Sequence, residues 1–254
     1  ADFAAAVARA YNDWLYDFCQ KDPNRLIGAG MISTYSMEDA VSEARRCAEQ
    51  LGFRAIFLRA NPLVDHQWQS SYYDPLWDAL EALNLSLGFH ESTGTGRNPI
   101  GARLEPNFML RRVFSQPMEQ MLALGCFCGG GVLARHPKLR VAFLEANCSW
   151  LPWLLWRLDE AWELDGDVFA PDLKQKPSDY FKRQCVVSIE PDEVVANNVI
   201  EQVGNGYLVF STDYPHVDSR YPEAGNHFLR LPLTQDDKRK ILWDNCMSYY
   251  AMAG

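Results

Sequence analysis

Polar or ionisable residues stand directly after the apolar segments of the sequence, where they could bind a ligand or transfer protons. They are Arg59, His90 with Glu91, Glu145 with Asn147, Glu190, and Asp213 with His216. The apolar segments have the length of β-strands, and in parallel α/β folds ligands bind at the carboxyl ends of the strands. We therefore expect these side chains to meet at one mouth if the strands close into a barrel.

His90 and Asp213 have side chains suited to a metal ion. A neutral imidazole at the end of the apolar segment 85–89 is a good ligand for a borderline divalent ion. The carboxylate of Asp213 can bind such an ion or accept a proton from metal-bound water. The alternatives are a histidine that is hydrogen-bonded into its loop and an aspartate that caps the next turn or helix.

Glu145 and Arg59 carry charges that need a partner if they are buried. A carboxylate directly after an apolar strand is costly to bury alone, so Glu145 implies a metal, an arginine or a substrate. Arg59 has the fork geometry that binds a substrate carboxylate. The alternative for both is an ion pair, of Glu145 with Arg59 or another cation, and of Arg59 with Glu91 or Glu145.

Other polar and aromatic residues give weaker signals. Glu190 is ambiguous because Pro191-Asp192-Glu193 is also typical of a helix start. Trp150 is expected either to line the pocket or to pack with the tryptophans that follow at helical spacing. The remaining histidines, in loops or helices, are expected on the surface; they are His66, His136 and His227.

The elements that must position these residues alternate between strand and helix. Strands are expected at 25–32, 53–58, 85–89, 139–144, 185–189 and 207–210. Helices are expected at 2–20, 36–50, 74–83, 107–128, 150–164, 192–203 and 234–251. This alternation requires parallel pairing through right-handed crossovers, in an open doubly wound sheet or a barrel. The length of 254 residues suits a single α/β domain over residues 1–254.

Composition narrows the class of partner. The net charge of −9 and the pI near 5.1 argue against nucleic acid and anionic membranes, which attract basic surfaces. The seven cysteines show no disulfide or zinc-knuckle spacing, so we expect reduced thiols in a cytoplasmic protein. Serine-hydrolase, phosphate-loop and dinucleotide motifs are missing from the sequence. A small-molecule substrate is the expected partner.

Several linked motifs resemble one family of enzymes. They are Arg25-Leu26-Ile27-Gly28, Leu51-Gly52-Phe53-Arg54-Ala55, Gly88-Phe89-His90, the segment from Gly130 to Leu139, and Ser211-Thr212-Asp213-Tyr214-Pro215-His216. In this order they resemble the amidohydrolase-related family that includes aminocarboxymuconate-semialdehyde, resorcylate and carboxyvanillate decarboxylases. The resemblance implies a distorted (β/α)8 TIM barrel, often dimeric, with one divalent ion, zinc or manganese, at its mouth. His90 and Asp213 match two of that family's ligands.

The sequence departs from the family pattern in two places. The His-x-His pair of the family's first strand does not occur, and counting strands back from His90 places the first one or two strands before Ala1. We therefore expect an N-terminally incomplete barrel. Glu145 also stands where family decarboxylases carry a catalytic histidine. A glutamate there can bind metal, act as a base or hold a cationic group.

The resulting hypothesis is a metal-dependent hydrolase or non-oxidative decarboxylase for a small carboxylated, cyclic or aromatic substrate. Asp213, Glu145 and His216 are the expected proton-transfer residues, and His90 and Asp213 the expected metal ligands. Substrate binding is expected from Arg59, Glu190 and Trp150. The alternatives are a non-catalytic binding or scaffold barrel with a decayed metal site, and a metal-free isomerase.

Overall fold

The computed structural model describes residues 1–90 and 99–252, and six parallel strands form its centre. The strands are β1 (Ala29–Met31), β2 (Ala55–Arg59), β3 (Ser86–His90), β4 (Val141–Leu144), β5 (Cys185–Ile189) and β6 (Leu208–Phe210). They lie side by side in chain order, β1-β2-β3-β4-β5-β6. Because every neighbouring pair is parallel, all six carboxyl ends lie at the same edge of the sheet.

Helices connect the strands and cover the outside of the sheet. They are α1 (Asp2–Cys19), α2 (Met37–Glu49), α3 (Asp74–Ala82), α4 (Phe108–Cys128), α5 (Val132–Arg135), α6 (Leu151–Phe169), α7 (Pro177–Gln184), α8 (Ala196–Val203), α9 (Ala224–Leu229), α10 (Gln235–Arg239) and α11 (Asn245–Tyr249). A strand followed by a helix and then by the adjacent parallel strand is the repeating unit of a (β/α) barrel. The described residues contain no helix that is both long and apolar enough to cross a membrane.

The sheet is open rather than closed. Within the described residues β1 pairs only with β2, and β6 pairs only with β5. The order of the strands confirms the expected α/β barrel type, with six strands in consecutive positions. Each strand is short, and β3 is buried over its first four residues.

Large aromatic side chains fill the space between β3, β4 and the helices beside them. Phe89 lies 5.2 Å from both Trp68 and Phe127, and 5.9 Å from Phe143, between ring centroids. All four side chains are buried. Since a fully buried aromatic residue contributes several kcal/mol, this cluster fixes the strand ends that carry His90 and Glu145.

The boundaries of several elements differ from those expected. The strand expected at 25–32 is limited to Ala29–Met31, because the backbone at Arg25 and Leu26 turns back to bond the carbonyl of Asp22. The helix expected from Asp192 begins at Ala196. Helices α7 and α9 were not expected. The final helix is present, but a π-helical segment at Lys240–Asp244 divides it.

Candidate functional site

The carboxyl edge of the sheet collects most of the residues expected to do chemistry. His90 ends β3, Glu145 follows β4, Glu190 follows β5, and Asp213 lies three residues after β6. Since these four strands are neighbours, their ends bring residues far apart in the sequence onto one surface. Glu91, the neighbour of His90, lies outside the described residues.

Glu145 is the centre of this cluster. Its Oε2 contacts Nε2 of His90, and its Oε1 lies 3.9 Å from Nδ1 of His216. Nδ1 of His216 lies 2.9 Å from Oδ2 of Asp213. His90 and Asp213 are therefore linked through Glu145 and His216, at the same mouth. The side chains of Glu145 and Asp213 are only 12% and 14% exposed, so their charges are largely removed from water.

The backbone directs both carboxylates by an uncommon conformation. Glu145 has φ of 54° and Asp213 has φ of 55°, in the left-handed region that costs a residue with a Cβ atom on the order of 1 kcal/mol. The Glu145 N–H donates to Oγ of Ser188 on β5 at 2.9 Å, and the Asp213 N–H donates to Oγ of Ser211 at 3.3 Å. These bonds hold the turn after each strand, so the carboxylates face the mouth.

Helix α4 crosses the mouth with a row of polar residues that sequence reasoning missed. Arg112, Gln116 and Gln120 are four residues apart and so lie on one face of the helix. Nε2 of Gln116 donates to Oε1 of Glu145 at 2.9 Å. Nε2 of the buried Gln120 donates to the carbonyls of Phe89 and Leu144, each at 2.9 Å, and so ties α4 to the ends of β3 and β4. The four-residue spacing was the only available signal.

A polar cavity of about 440 Å³ opens beside the cluster, a size suited to a small ligand. Its charged lining consists of Glu145, Glu190, Asp192, Glu193, Asp213 and Asp218, with Arg112 and Arg220. Arg112 contacts Asp218, and Arg220 lies 2.8 Å from Asp192. In residues 1–90 and 99–252, no lysine or arginine forms an ion pair with Glu145, Glu190 or Asp213.

Burial and the excess of negative charge raise the pKa of two groups. Burial, together with the charges of Asp213, Glu193 and Glu145, raises the pKa of Glu190 from 4.5 to about 7. Burial also raises the pKa of Asp213, although the hydrogen bond from His216 opposes that change. Both groups are thus better able to hold a proton near neutral pH than ordinary carboxyls are.

Arg59 and Trp150 lie further from the centre of the cluster. Arg59 stands beside His90 in the register of β2 and β3, and it lines a separate, mostly apolar cavity of about 330 Å³ with Trp68 and part of α1. The Trp150 indole N–H donates to the carbonyl of Ala146 at 2.9 Å, and its ring packs against the core. Their roles in substrate binding stay predictions.

The donor atoms of the cluster suit one divalent ion. A ligand atom from each of Glu145, Asp213 and His216 lies within 4.8 Å of the other two. Imidazole nitrogen and carboxylate oxygen are the donors that Zn²⁺ and Mn²⁺ accept in proteins. His90 contacts Glu145 but is not one of these three residues. A cation there would also offset the uncompensated carboxylates.

Sequence comparison finds relatives over most of the chain. The 2-amino-3-carboxymuconate-6-semialdehyde decarboxylase of Dictyostelium discoideum is 26% identical over 212 residues, which cover 84% of this chain. The chain spans only 57% of that relative's length. The gamma-resorcylate decarboxylase of Polaromonas sp. (strain JS666 / ATCC BAA-500) is 24% identical over 263 residues, covering 98% of this chain and 77% of the relative.

Structural comparison finds the same fold. A crystal structure of dihydroxybenzoic acid decarboxylase from Polaromonas sp. JS666, with bound manganese and the inhibitor 2-nitroresorcinol, has a TM-score of 0.79 and 22% sequence identity. The alignment covers 98% of this chain and 76% of that one. The family model described as Amidohydrolase matches residues 1–250. The chain therefore belongs to the amidohydrolase family.

Proposed function

We propose that this protein is a metal-dependent carboxy-lyase that removes CO2 from a small hydroxylated aromatic acid. The observation that carries the proposal is the cluster of His90, Glu145, Asp213 and His216 beside a polar cavity of about 440 Å³. The relatives named gamma-resorcylate decarboxylase and 2-amino-3-carboxymuconate-6-semialdehyde decarboxylase act on small carboxylated compounds, which supports this substrate class.

One divalent ion is the proposed cofactor, with His90 and Asp213 as ligands and Glu145 as an additional one. The manganese in the Polaromonas structure supports this choice, and zinc fits the same donors. When bound, the ion would hold an oxygen of the substrate and stabilise the negative charge that develops there. The ion's charge would also balance the buried carboxylates. If the cluster only stabilised the fold, these charges would lack a counterion.

The chain's own residues supply the proton that decarboxylation needs. The bond between the ring and the carboxylate breaks, CO2 leaves, and the bonding electrons remain on the ring carbon, which takes up one proton. His216 is suited to deliver it, because its side chain is 56% exposed and its Nδ1 lies 2.9 Å from Oδ2 of Asp213. Glu145 and Asp213 position this imidazole and can share its proton.

Binding of the substrate is assigned to groups around the cavity. Glu190, with its pKa near 7, can donate a hydrogen bond to a ring hydroxyl when protonated. Arg112 lines the cavity and is a candidate for holding the carboxylate, in addition to the Arg59 expected from the sequence. A bound carboxylate would then compete with Asp218 for the guanidinium of Arg112.

The test is decarboxylation of gamma-resorcylate by the purified protein, followed by ultraviolet absorbance, before and after removal of metal. We expect activity to disappear with a chelator, to return with manganese or zinc, and to fall at least about 10²-fold in Asp213→Asn. Asp167→Asn, an exposed carboxylate on α6, is the matched control. Protein that is folded, binds no metal and turns over none of a panel of aromatic acids would instead support the non-catalytic alternative.

We propose a cytoplasmic location and a homodimeric assembly. The seven free cysteines support a cytoplasmic site of action, and a homodimer is expected from the resemblance described above. Light scattering of the purified protein measures its assembly directly.

A further inference from the structure

His136 occupies an unexpected position at the opposite end of the sheet from the carboxylate cluster. It precedes β4, whereas Glu145 follows it. The sequence predicts a surface histidine in a His-Pro-Lys turn, and this prediction is wrong, because the His136 side chain is only 5% exposed and packs beside α3. Burial of an imidazole calls for a partner at each ring nitrogen.

The neighbours of the ring are three carboxylates of α3. Nε2 of His136 lies 3.3 Å from Oδ1 of Asp74. Nδ1 lies 3.3 Å from Oδ1 of Asp78 and 3.7 Å from Oε2 of Glu81. The Nδ1 atom is fully buried and makes no hydrogen bond, and the Glu81 oxygen is too distant for one. A buried nitrogen thus points between two carboxylates without bonding either.

Asp74 is the carboxylate that faces Nε2 of the ring. Arg135 donates to Oδ1 of Asp74 at 3.0 Å and holds this carboxylate beside Nε2. In the tautomer that donates from Nε2 to this carboxylate, Nδ1 carries a lone pair. That lone pair faces the negative oxygens of Asp78 and Glu81, an arrangement that is repulsive unless a cation lies between them. A histidine bonded to a carboxylate at one nitrogen and to a metal at the other is the usual pattern in metal sites.

The carboxylates of Asp78 and Glu81 are also positioned to bind an ion. The Lys138 N–H donates to Oε1 of Glu81 at 2.5 Å, which leaves Oε2 directed toward His136. The Asp78 side chain is 72% exposed, so the position is open to solvent on one side. One ligand atom from each of Asp78, Glu81 and His136 lies within 4.8 Å of the other two.

We propose that Asp78, Glu81 and His136 form a second divalent-cation site of the zinc class, distinct from the mouth of the barrel. Three protein ligands with one side open to water match the donor number and types of zinc sites that retain a water molecule. The proposal is independent of the function assigned to the mouth. The opposing explanation is a doubly protonated imidazolium held by three carboxylates.

Zinc titration of 15N-histidine-labelled protein distinguishes the two explanations. Long-range 1H–15N spectra report each of the five histidine rings separately. We expect zinc to shift the His136 nitrogens in wild-type protein, and Asp78→Asn to weaken zinc at that ring by at least about tenfold. Because Asp78 is exposed, this variant should fold normally. Asp167→Asn, on α6, should bind zinc at His136 as the wild type does.

The mouth must be excluded as the source of the signal. In Asp213→Asn, the response of His136 to zinc should persist, whereas the responses of His90 and His216 should weaken. The proposal is overturned if the His136 ring keeps protons on both nitrogens and does not respond to millimolar zinc. It is equally overturned if Asp78→Asn leaves the zinc affinity at His136 unchanged.

Discussion

Replacing Glu190 by glutamine should stabilise the metal-free protein at alkaline pH and have little effect at acidic pH. In the folded protein the pKa of Glu190 is about 7, against an ordinary 4.5, because of burial and the charges of Asp213, Glu193 and Glu145. An acid whose folded pKa is raised contributes stability below its unfolded pKa and loses it as the pH rises through the folded pKa. The wild type should therefore lose this contribution between about pH 4.5 and 7, and the neutral glutamine should not.

The magnitude follows from the size of the shift. A change from 4.5 to about 7 corresponds to roughly 3 kcal/mol if the group were fully shielded. Glu190 is only partly buried, so solvent screening reduces this to about 1–2 kcal/mol. For a chain of this length that difference is a melting temperature higher by about 2–8 °C at pH 8. Near pH 5 the two proteins should melt within about 1 °C of each other.

The assay is thermal and urea denaturation of both proteins with a chelator present, at pH 5, 6, 7 and 8. Glu201→Gln, an exposed glutamate on α8, controls for the loss of one negative charge from the whole protein. A stability difference that does not change with pH, or that is larger at pH 5 than at pH 8, would refute the reasoning. It would mean that the carboxylates of the cavity do not interact as their positions require.

Three further predictions concern the groups around the mouth. Gln120→Leu removes two hydrogen bonds to carbonyls at the ends of β3 and β4. It should lower the free energy of unfolding, measured in urea, by about 2 kcal/mol. The control Gln202→Leu, at an exposed position, should not lower it. Arg112→Met should raise KM for gamma-resorcylate at least about tenfold with a smaller change in kcat, and a loss confined to kcat would argue against carboxylate binding. Manganese at about 100 times its dissociation constant should stabilise chelator-treated protein by about 2.7 kcal/mol in calorimetry, and Asp213→Asn should lose this gain.

The strand ends were predictable because a short apolar segment followed by an ionisable residue has few explanations in a parallel sheet. This rule located His90, Glu145 and Asp213, and the sheet brings them together. Apolar character alone gave the wrong start for β1, which was expected to begin at Arg25 and begins at Ala29. The backbone at Arg25 and Leu26 bonds the carbonyl of Asp22, and apolar character does not reveal such a turn.

Other features depended on tertiary packing that the sequence does not reveal. The polar row of Arg112, Gln116 and Gln120 on α4 gains meaning only because the helix lies across the mouth. Glu145 adopts a left-handed backbone without the glycine or asparagine that would signal it. His136 is buried because α3 packs over a turn whose sequence is typical of the surface.

The partners of Glu145 and Asp213 explain why we expect a cation at the mouth. The Gln116 side chain donates to the Glu145 carboxylate, and the hydroxyls of Ser188 and Ser211 accept from the backbone N–H groups of Glu145 and Asp213. The two arginines of the cavity are bound to more peripheral aspartates. A neutral donor such as the Gln116 amide fixes the direction of a carboxylate without cancelling its charge, so several buried negative charges remain near one point. Protonation of a neighbour, as at Glu190, relieves part of this repulsion, and a divalent ion bound among the same oxygens would relieve far more. The repulsion between these carboxylates should lower the free energy of unfolding of the metal-free protein, and a bound ion should raise it.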